Sequence, residues 1–354
     1  MKAITIDELQ PGMTLARTIV NDDMVVVLSE NTLLTKAHIT RLKFLDLPTI
    51  YIKDEYELST NFQNVAAMFN PGSAFISEYK EIVHTAKEIF DAASTDAPGA
   101  ISKAENMVST SLSPMVKQSG VIDYLLELNH MAADVYNHSL RVSILAGVIG
   151  KWLNYSQKKI DELILAGFLH DIGKTKFEER LIGKNIEYLK GEDLDAYMKH
   201  TIDGHQILRS NPDIPEGVKL AALQHHESSD GTGFPFNTTG KDIHEYAKII
   251  ALVDLYDNTT TEREGFKKET PFVAISKITA SMYNKLDPSI VVPFLNHIKD
   301  SFLGSRVLLS NGLQGTIVRY EHDFGAEPMI RINQETIIDL NVQRNISIVE
   351  YNPK

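Results

Sequence analysis

The stretch that decides the fold is Leu163-Ile-Leu-Ala-Gly-Phe-Leu-His170-Asp171-Ile-Gly-Lys174. Its apolar run predicts a helix that ends on an imidazole beside a carboxylate, with a glycine and a lysine close behind them. At a helix end the two side chains can converge, because His offers one nitrogen while Asp offers two oxygens able to bridge two cations. A capped helix end with a solvated Asp is the simpler interpretation of this pair alone. The rest of the chain therefore has to decide between the two.

Other histidines and carboxylates occur at similar places on predicted helices. In chain order they are Asp134, His138, His200, His225, His226 and Asp254. Asp134 and His138 are four residues apart and would share one face of a helix predicted over 121–152. For His138 alone, a core histidine bonded to a carbonyl group is the structural alternative. Asp254 stands in an apolar run, where an unpaired buried carboxylate is costly and a cation is the economical partner.

The downstream histidines are predicted to lie on two further helices. A helix over 193–208 holds His200, and Gly204 one turn later would let a second helix approach closely. The next helix ends at His225 and His226, whose adjacent side chains point in different directions, so each could serve a different cation. Several helices that deliver ligands to one point are what a polynuclear metal site in a helical bundle requires.

Composition limits the class of protein. The chain has 354 residues, 43% of them hydrophobic and 23% charged, which is ordinary for a globular protein of more than one domain. Without cysteine, a metal must be held by His, Asp, Glu or water, which suits Fe, Mn, Zn or Mg. The net charge of −12 argues against a nucleic acid polymer as partner but allows a small phosphorylated ligand. Neither a secretory signal nor an apolar run of membrane-spanning length is present, so we expect a cytoplasmic protein with no membrane span.

The chain divides into four predicted segments. Residues 1–56 have the strand, turn and helix patterns of a small α+β module, and 57–118 predict a helical connector that could form a homodimer. The helical segment 119–302 holds all the candidate ligands. In 303–354 the period changes to that of short antiparallel strands. The predicted fold class is therefore mainly α, a helical bundle with a small N-terminal α+β module and a small C-terminal antiparallel β domain.

This succession of motifs resembles the HD-GYP subfamily of HD-domain phosphohydrolases over about residues 119–302. The matching elements are Tyr136-Asn-His138-Ser, His170-Asp171-Ile-Gly-Lys174, His200 with Gly204, His225-His226-Glu227, Asp230-Gly-Thr-Gly-Phe234-Pro235 and Asp254-Leu-Tyr-Asp257. The resemblance implies an HD-domain helical bundle. It also implies a metal-dependent phosphodiesterase that opens cyclic di-GMP to pGpG, and in some cases continues to GMP.

The resemblance also implies roles for single residues. Two or three divalent ions, most readily Fe or Mn, would be held by His138, His170, Asp171, His200, His225, His226 and Asp254. Asp171 would bridge two of them and take part directly in catalysis. Lys174 would assist catalysis and bind phosphate. Arg263 would clamp the phosphate group of the substrate. Asp230 and Phe234 would contact the substrate, with the Phe234 ring stacking on a base.

Three departures from the family pattern keep other functions open. Asp134 stands where members with three metals carry Glu, so its shorter arm could leave two metals or reach a third through water. Phe234 replaces the Tyr of the GYP motif, and the Pro and Tyr expected after Arg263 are absent. These departures favour a non-catalytic sensor that binds cyclic di-GMP or a partner protein. An HD phosphohydrolase of another nucleotide is the third alternative, and the complete set of core ligands favours the enzyme.

Overall fold

The computed structural model of the chain describes residues 2–352 apart from 7–8, 11–12, 21–25, 29–31, 33, 44–48, 53–70, 129–133, 183, 185, 263–266 and 321–326. The chain separates into two compact units, Met1–Ser77 and Glu78–Lys354. The predicted domain boundaries near residues 56, 118 and 302 stay predictions.

The first unit contains the short strands and the helix expected of a small α+β module. They are β1 (Lys2–Ile4), β2 (Ile19–Val20), β3 (Val26–Leu28), α1 (Lys36–Leu42) and β4 (Ile50–Ile52). Strand β1 pairs antiparallel with β4, and β2 pairs antiparallel with β3. Their apolar side chains form a small core in which Leu15 and Leu42 are fully buried.

Twelve α-helices follow among the described residues. They are α2 (Pro71–Ala93), α3 (Ala97–Met107), α4 (Ser113–Lys117), α5 (Val121–Leu128), α6 (Val135–Trp152), α7 (Gln157–Leu169), α8 (Glu192–Met198), α9 (His200–Arg209), α10 (Glu216–Gln224), α11 (Glu245–Thr260), α12 (Pro271–Ser281) and α13 (Pro288–Phe302). No helix among the described residues is long and apolar enough to cross a membrane.

Helix α6 is the centre of the bundle, since every residue from Asn137 to Gly150 is buried. Helix α7 packs against it, and a side chain at Gly167 would lie 2.7 Å from the Cα atom of Ser143, so the two backbones meet where only glycine fits. Ser156 caps the start of α7 by accepting a hydrogen bond from Lys159 N. This packing fixes where α7 ends, and therefore where His170 and Asp171 lie.

Two predicted helices are each divided in the structure. The helix predicted over 121–152 is observed as α5 and α6, and Asp134 lies before α6 as its N-cap instead of on a helix face. The helix predicted over 193–208 is observed as α8 and α9, which meet at Lys199. In the second case His200 is the first residue of a helix.

The chain ends in an antiparallel sheet, as predicted. Its strands are β5 (Arg306–Leu309), β6 (Gln314–Arg319), β7 (Met329–Arg331), β8 (Ile337–Asp339) and β9 (Ile348–Asn352), in the order β8-β7-β6-β5-β9. Tyr351 of β9 packs edge-on against Phe272 and Phe302, with ring centroids 5.8 and 5.5 Å apart. The predicted fold class, a mainly α bundle with a small C-terminal β domain, is confirmed.

Candidate metal centre

Among the described residues, five helices bring predicted ligands to one buried point. In chain order these ligands are His138 on α6, His170 and Asp171 at the end of α7, His200 on α9, His225 and His226 after α10, and Asp254 on α11. His170 and His200 are fully buried, and Asp171 is 1% exposed. Helix ends therefore supply most of the site, as their positions in the sequence predict.

Asp171 stands between two groups of imidazoles. Its Oδ2 atom lies 3.6 Å from His138 Nε2 and 3.4 Å from His170 Nε2. Its Oδ1 atom lies 3.3 Å from His200 Nε2 and 3.6 Å from His225 Nε2. One carboxylate can therefore serve cations on both of its sides.

The remaining candidates extend the two groups. Asp254 Oδ1 lies 3.0 Å from His138 Nε2, on the Oδ2 side of Asp171. On the other side, ligand atoms of His200, His225 and His226 all lie within 4.8 Å of one another. The rings of His225 and His226 have centroids 4.2 Å apart. Both side chains lie beside His200, and the expectation that each serves a different cation stays a prediction.

Hydrogen bonds to the outer ring nitrogens orient three of these imidazoles. The Nδ1 atom of His170 donates to Gly167 O at 2.7 Å, and that of His200 donates to Tyr197 O at 2.6 Å. His225 Nδ1 lies 3.1 Å from two carbonyl oxygens of α10. Because a carbonyl oxygen can only accept, these partners assign the proton to Nδ1 and leave an Nε2 lone pair directed at the site.

Unpaired buried atoms test whether these residues fit a metal. His170 Nε2, Asp171 Oδ1 and His226 Nε2 are buried without a hydrogen-bond partner among the described residues. Each such atom costs about 1–3 kcal/mol unless a partner is supplied, and a cation is a partner that all three can share. This nitrogen and oxygen donor set suits divalent transition metals.

The pKa shifts of four of the candidate ligands agree with that test. Burial lowers the pKa of His170 and of His226, and it lowers the pKa of His200 to about 4. Although burial raises the pKa of Asp171, Lys174 and His170 hold it well below its usual value. Neutral imidazoles and an ionised carboxylate are the forms that bind a metal.

A cavity of about 400 Å³ adjoins the site. Its wall includes His138, Asp171, Lys174, Tyr136, Phe177 and Lys184. Lys174 lies with its ammonium 5.2 Å from the ring centre of Tyr197. His138 and Asp171 are thus accessible to a molecule of nucleotide size from a cavity whose wall also carries two lysines and aromatic rings.

The arrangement matches a known family of proteins. The family model described as HD domain matches residues 104–290, more than half of the chain. This chain belongs to the HD-domain family. The resemblance to HD-domain proteins that the motifs indicated is therefore confirmed.

Relatives of this HD-domain protein include named phosphodiesterases. It is 25% identical over 229 residues to the cyclic di-GMP phosphodiesterase PA4108 of Pseudomonas aeruginosa, a match that covers 65% of this chain and 55% of that protein. It is 31% identical over 182 residues to the cyclic di-GMP phosphodiesterase of Thermotoga maritima, which covers 51% of this chain and 48% of that protein. The chain thus spans about half the length of the curated relatives it matches.

A solved structure supports the fold. Bd1817, an HDG"Y"P protein from Bdellovibrio bacteriovorus, superposes with a TM-score of 0.50 at 19% sequence identity. The similarity covers 84% of this chain and 98% of that chain. It extends well beyond the residues that the family model matches.

The metal-ligand role predicted for Asp134 stays a prediction, and in this HD domain its carboxylate is bonded to Asn137. Its Oδ1 accepts hydrogen bonds from Asn137 N at 2.8 Å and Asn137 Nδ2 at 3.1 Å, and its Oδ2 accepts from Asn137 Nδ2 at 2.9 Å. The carboxylate therefore caps α6. The expectation that Asp134 shares a helix face with His138 is wrong, because α6 begins one residue after Asp134.

The three predicted substrate residues other than Lys174 lie in different situations. The Phe234 ring stacks on His226 with centroids 4.5 Å apart and an angle of 26° between the planes. Asp230 is exposed, and its Oδ1 accepts hydrogen bonds from Thr232 N and Oγ1. Arg263 lies outside the described residues. Phe234 therefore contacts a candidate ligand, whereas the carboxylate of Asp230 is engaged within its own loop.

Sequence reasoning missed the function of Glu227. This side chain is 5% exposed, and its carboxylate accepts hydrogen bonds from Phe236 N, Thr238 N and Thr238 Oγ1. It therefore ties the loop that carries Phe234 back to the end of α10. A Glu directly after two candidate ligands was the available signal.

A second missed feature is the buried pair of Arg141 and Asp257. Arg141 Nε lies 2.6 Å from Asp257 Oδ1, and Asp257 Oδ2 lies 2.8 Å from His138 Nδ1. These contacts place Asp257 behind the ring of His138, on the side away from Asp254. In the sequence, only the position of Arg141 one turn after His138 could have indicated this role.

Proposed function

We propose that this HD domain is a metal-dependent phosphodiesterase that hydrolyses cyclic di-GMP to pGpG, with GMP as a candidate end product. The observation that carries the proposal is the position of Asp171 between two groups of buried imidazoles, three of which direct Nε2 lone pairs at the site. The named activity of the two relatives supports the choice of substrate.

The protein's own residues divide into ligands and substrate contacts. We assign one divalent ion, Fe or Mn, to the side of His138, His170 and Asp254, and a second to the side of His200, His225 and His226, with Asp171 shared. When bound, such ions supply a nucleophile at neutral pH and neutralise charge that develops on phosphate. Asp134 is left out of this assignment because it caps α6 and accepts hydrogen bonds from Asn137 at both of its oxygens.

Lys174 is the substrate contact with the most direct support. Its side chain is 20% exposed and lines the cavity beside Asp171, so its ammonium can bind a phosphate oxygen there. Arg263 as a phosphate clamp and Phe234 and Asp230 as substrate contacts are proposals supported by the resemblance. The homodimer and the cytoplasmic location stay predictions.

The proposal is tested by anaerobic purification, metal analysis and a turnover assay with cyclic di-GMP. We expect at least two Fe or Mn ions per chain and release of pGpG. Asp171→Asn should lose both metal and turnover. Its helical circular dichroism spectrum should be unchanged, because the substitution is isosteric. Asp287→Asn, which alters a carboxylate that caps α13, is the matched control.

Other outcomes would replace the proposal. A metal-loaded protein that binds cyclic di-GMP without hydrolysing it is the non-catalytic sensor. Faster hydrolysis of another cyclic dinucleotide would identify a different nucleotide substrate. A protein that takes up no metal under anaerobic loading would contradict the proposal as a whole.

A further inference from the structure

The ring of His138 is held differently from those of His170, His200 and His225. Carbonyl groups three or four residues earlier in the chain orient the other three through Nδ1. His138 Nδ1 instead bonds the carboxylate of Asp257, a residue 119 positions away on α11. The orientation of this one ring therefore depends on a side chain from another helix.

Asp257 is in turn fixed by Arg141. The guanidinium forms a fork in which Nε lies 2.6 Å from Oδ1 and Nη2 lies 3.0 Å from Oδ2. Arg141 is 3% exposed and Asp257 is 4% exposed. Because both oxygens are engaged by a planar, rigid donor, the carboxylate has one orientation available, and so does the imidazole bonded to it.

The two helices present these groups at matching spacings. Helix α6 carries His138 and Arg141, and α11 carries Asp254 and Asp257. With Asp257 bonded to Nδ1, His138 Nε2 lies 3.0 Å from Asp254 Oδ1. The clamp on one side of the ring therefore sets the direction of the opposite nitrogen toward the site.

Stability alone does not account for such a pair. Replacing a buried ion pair by apolar residues of similar volume is often neutral or stabilising, since the desolvation of two charges offsets their attraction. The remaining role for the pair is to fix the orientation of the His138 ring. We infer that Arg141 is a positioning residue that acts through Asp257 on His138 and so sets the metal affinity of the side formed by His138, His170, Asp171 and Asp254. This inference rests on the proposed function.

The double variant Arg141→Met with Asp257→Leu separates geometry from stability, because it leaves no unpaired buried charge. We expect the melting temperature of the metal-free protein to fall by no more than the loss of the one hydrogen bond to His138 Nδ1 requires. In calorimetric titration with Mn²⁺ under nitrogen, one equivalent should bind about 10–100-fold more weakly and the other as in the wild type. The same pattern is expected of His138→Ala. Lys248→Gln, which removes another ion pair from α11, is the matched control and should leave both equivalents unchanged.

Arg141→Lys gives a second measurement that does not depend on metal. A lysine keeps the charge but cannot bond both oxygens of Asp257, so the imidazole N–H signal of His138 should shift in proton–nitrogen spectra of the metal-free protein. An unchanged Mn²⁺ titration in the folded double variant, or equal weakening of both equivalents, overturns the inference alone. Failure of the wild type to bind Mn²⁺ overturns the proposed function and the inference with it.

Discussion

Lys174 Nζ lies 2.5 Å from Asp171 Oδ2, the same oxygen that faces the imidazoles of His138 and His170. An ammonium and a divalent cation would therefore compete for one carboxylate oxygen. Burial lowers the pKa of Lys174, but the nearby carboxylate raises it above its usual value, so the lysine is charged at neutral pH. A residue that favours phosphate binding should thus oppose metal binding.

Lys174→Met is the first test of this relationship. Mn²⁺ affinity should rise by up to about fivefold, since a partly exposed ion pair is worth about 1 kcal/mol or less. Turnover of bis(p-nitrophenyl) phosphate should fall by about 10²–10³, the usual loss for one charge-stabilising donor. Lys184→Met, on the same cavity wall, is the control and should show no gain in metal affinity. Weaker Mn²⁺ binding by Lys174→Met would show that the ammonium supports the site.

Asp134→Ala should destabilise the protein without changing its metal content. Loss of an N-cap costs about 1 kcal/mol, and here the cap is the bond from Asn137 N to Asp134 Oδ1. Asp134→Asn keeps a capping side chain and should have nearly wild-type stability. Chemical denaturation measures the first effect, and metal analysis the second. A lower metal content in Asp134→Ala would restore Asp134 as a ligand.

Phe234→Ala should weaken metal binding because the ring supports His226. A stacked aromatic pair contributes about 0.5–1.5 kcal/mol, so we expect affinity for one Mn²⁺ equivalent to fall about two- to tenfold. Phe234→Tyr keeps the ring and should bind Mn²⁺ like the wild type. Phe236→Ala removes a neighbouring ring that is 64% exposed and is the control. If titration shows normal Mn²⁺ binding by Phe234→Ala, the ring serves the substrate alone.

Gly173→Ala should prevent the site from forming. A Cβ atom at Gly173 would lie 2.0 Å from His200 O and 2.6 Å from Gly204 N, and both are backbone atoms that cannot move aside. Gly204→Ala is the matched control across the same contact, because its Cβ would lie 3.3 Å from Gly173 N. We expect a large fall in melting temperature for the first variant and a small one for the second. Similar melting temperatures would show that α9 can shift.

Local signals explain why most of the site could be predicted. His170 and Asp171 close an apolar run, and His225 and His226 close another, so helix ends could be placed from periodicity. Asp134 shows where that reasoning fails. An Asp can stand inside a helix or cap its start, and the choice depends on the direction of the preceding chain, which hydrophobic spacing does not encode.

Contacts between distant segments explain the remainder. Arg141 and Asp257 are 116 residues apart, and neither α6 nor α11 has a periodicity that shows where the two helices meet. Gly173 is similar, since a glycine after His-Asp could simply end a helix. Glycine is required here because the backbone of His200 leaves no room for a Cβ atom, and this contact can be seen only once α9 is placed.

The carbonyl groups that orient His170, His200 and His225 have an evolutionary consequence. A carbonyl oxygen belongs to the backbone, so no substitution can delete it. The tautomer of each of these rings therefore does not depend on the identity of a second side chain. Such a centre can persist while most of the surrounding sequence drifts. The ring of His138 has no such protection, so mutation can adjust the centre there without dismantling it.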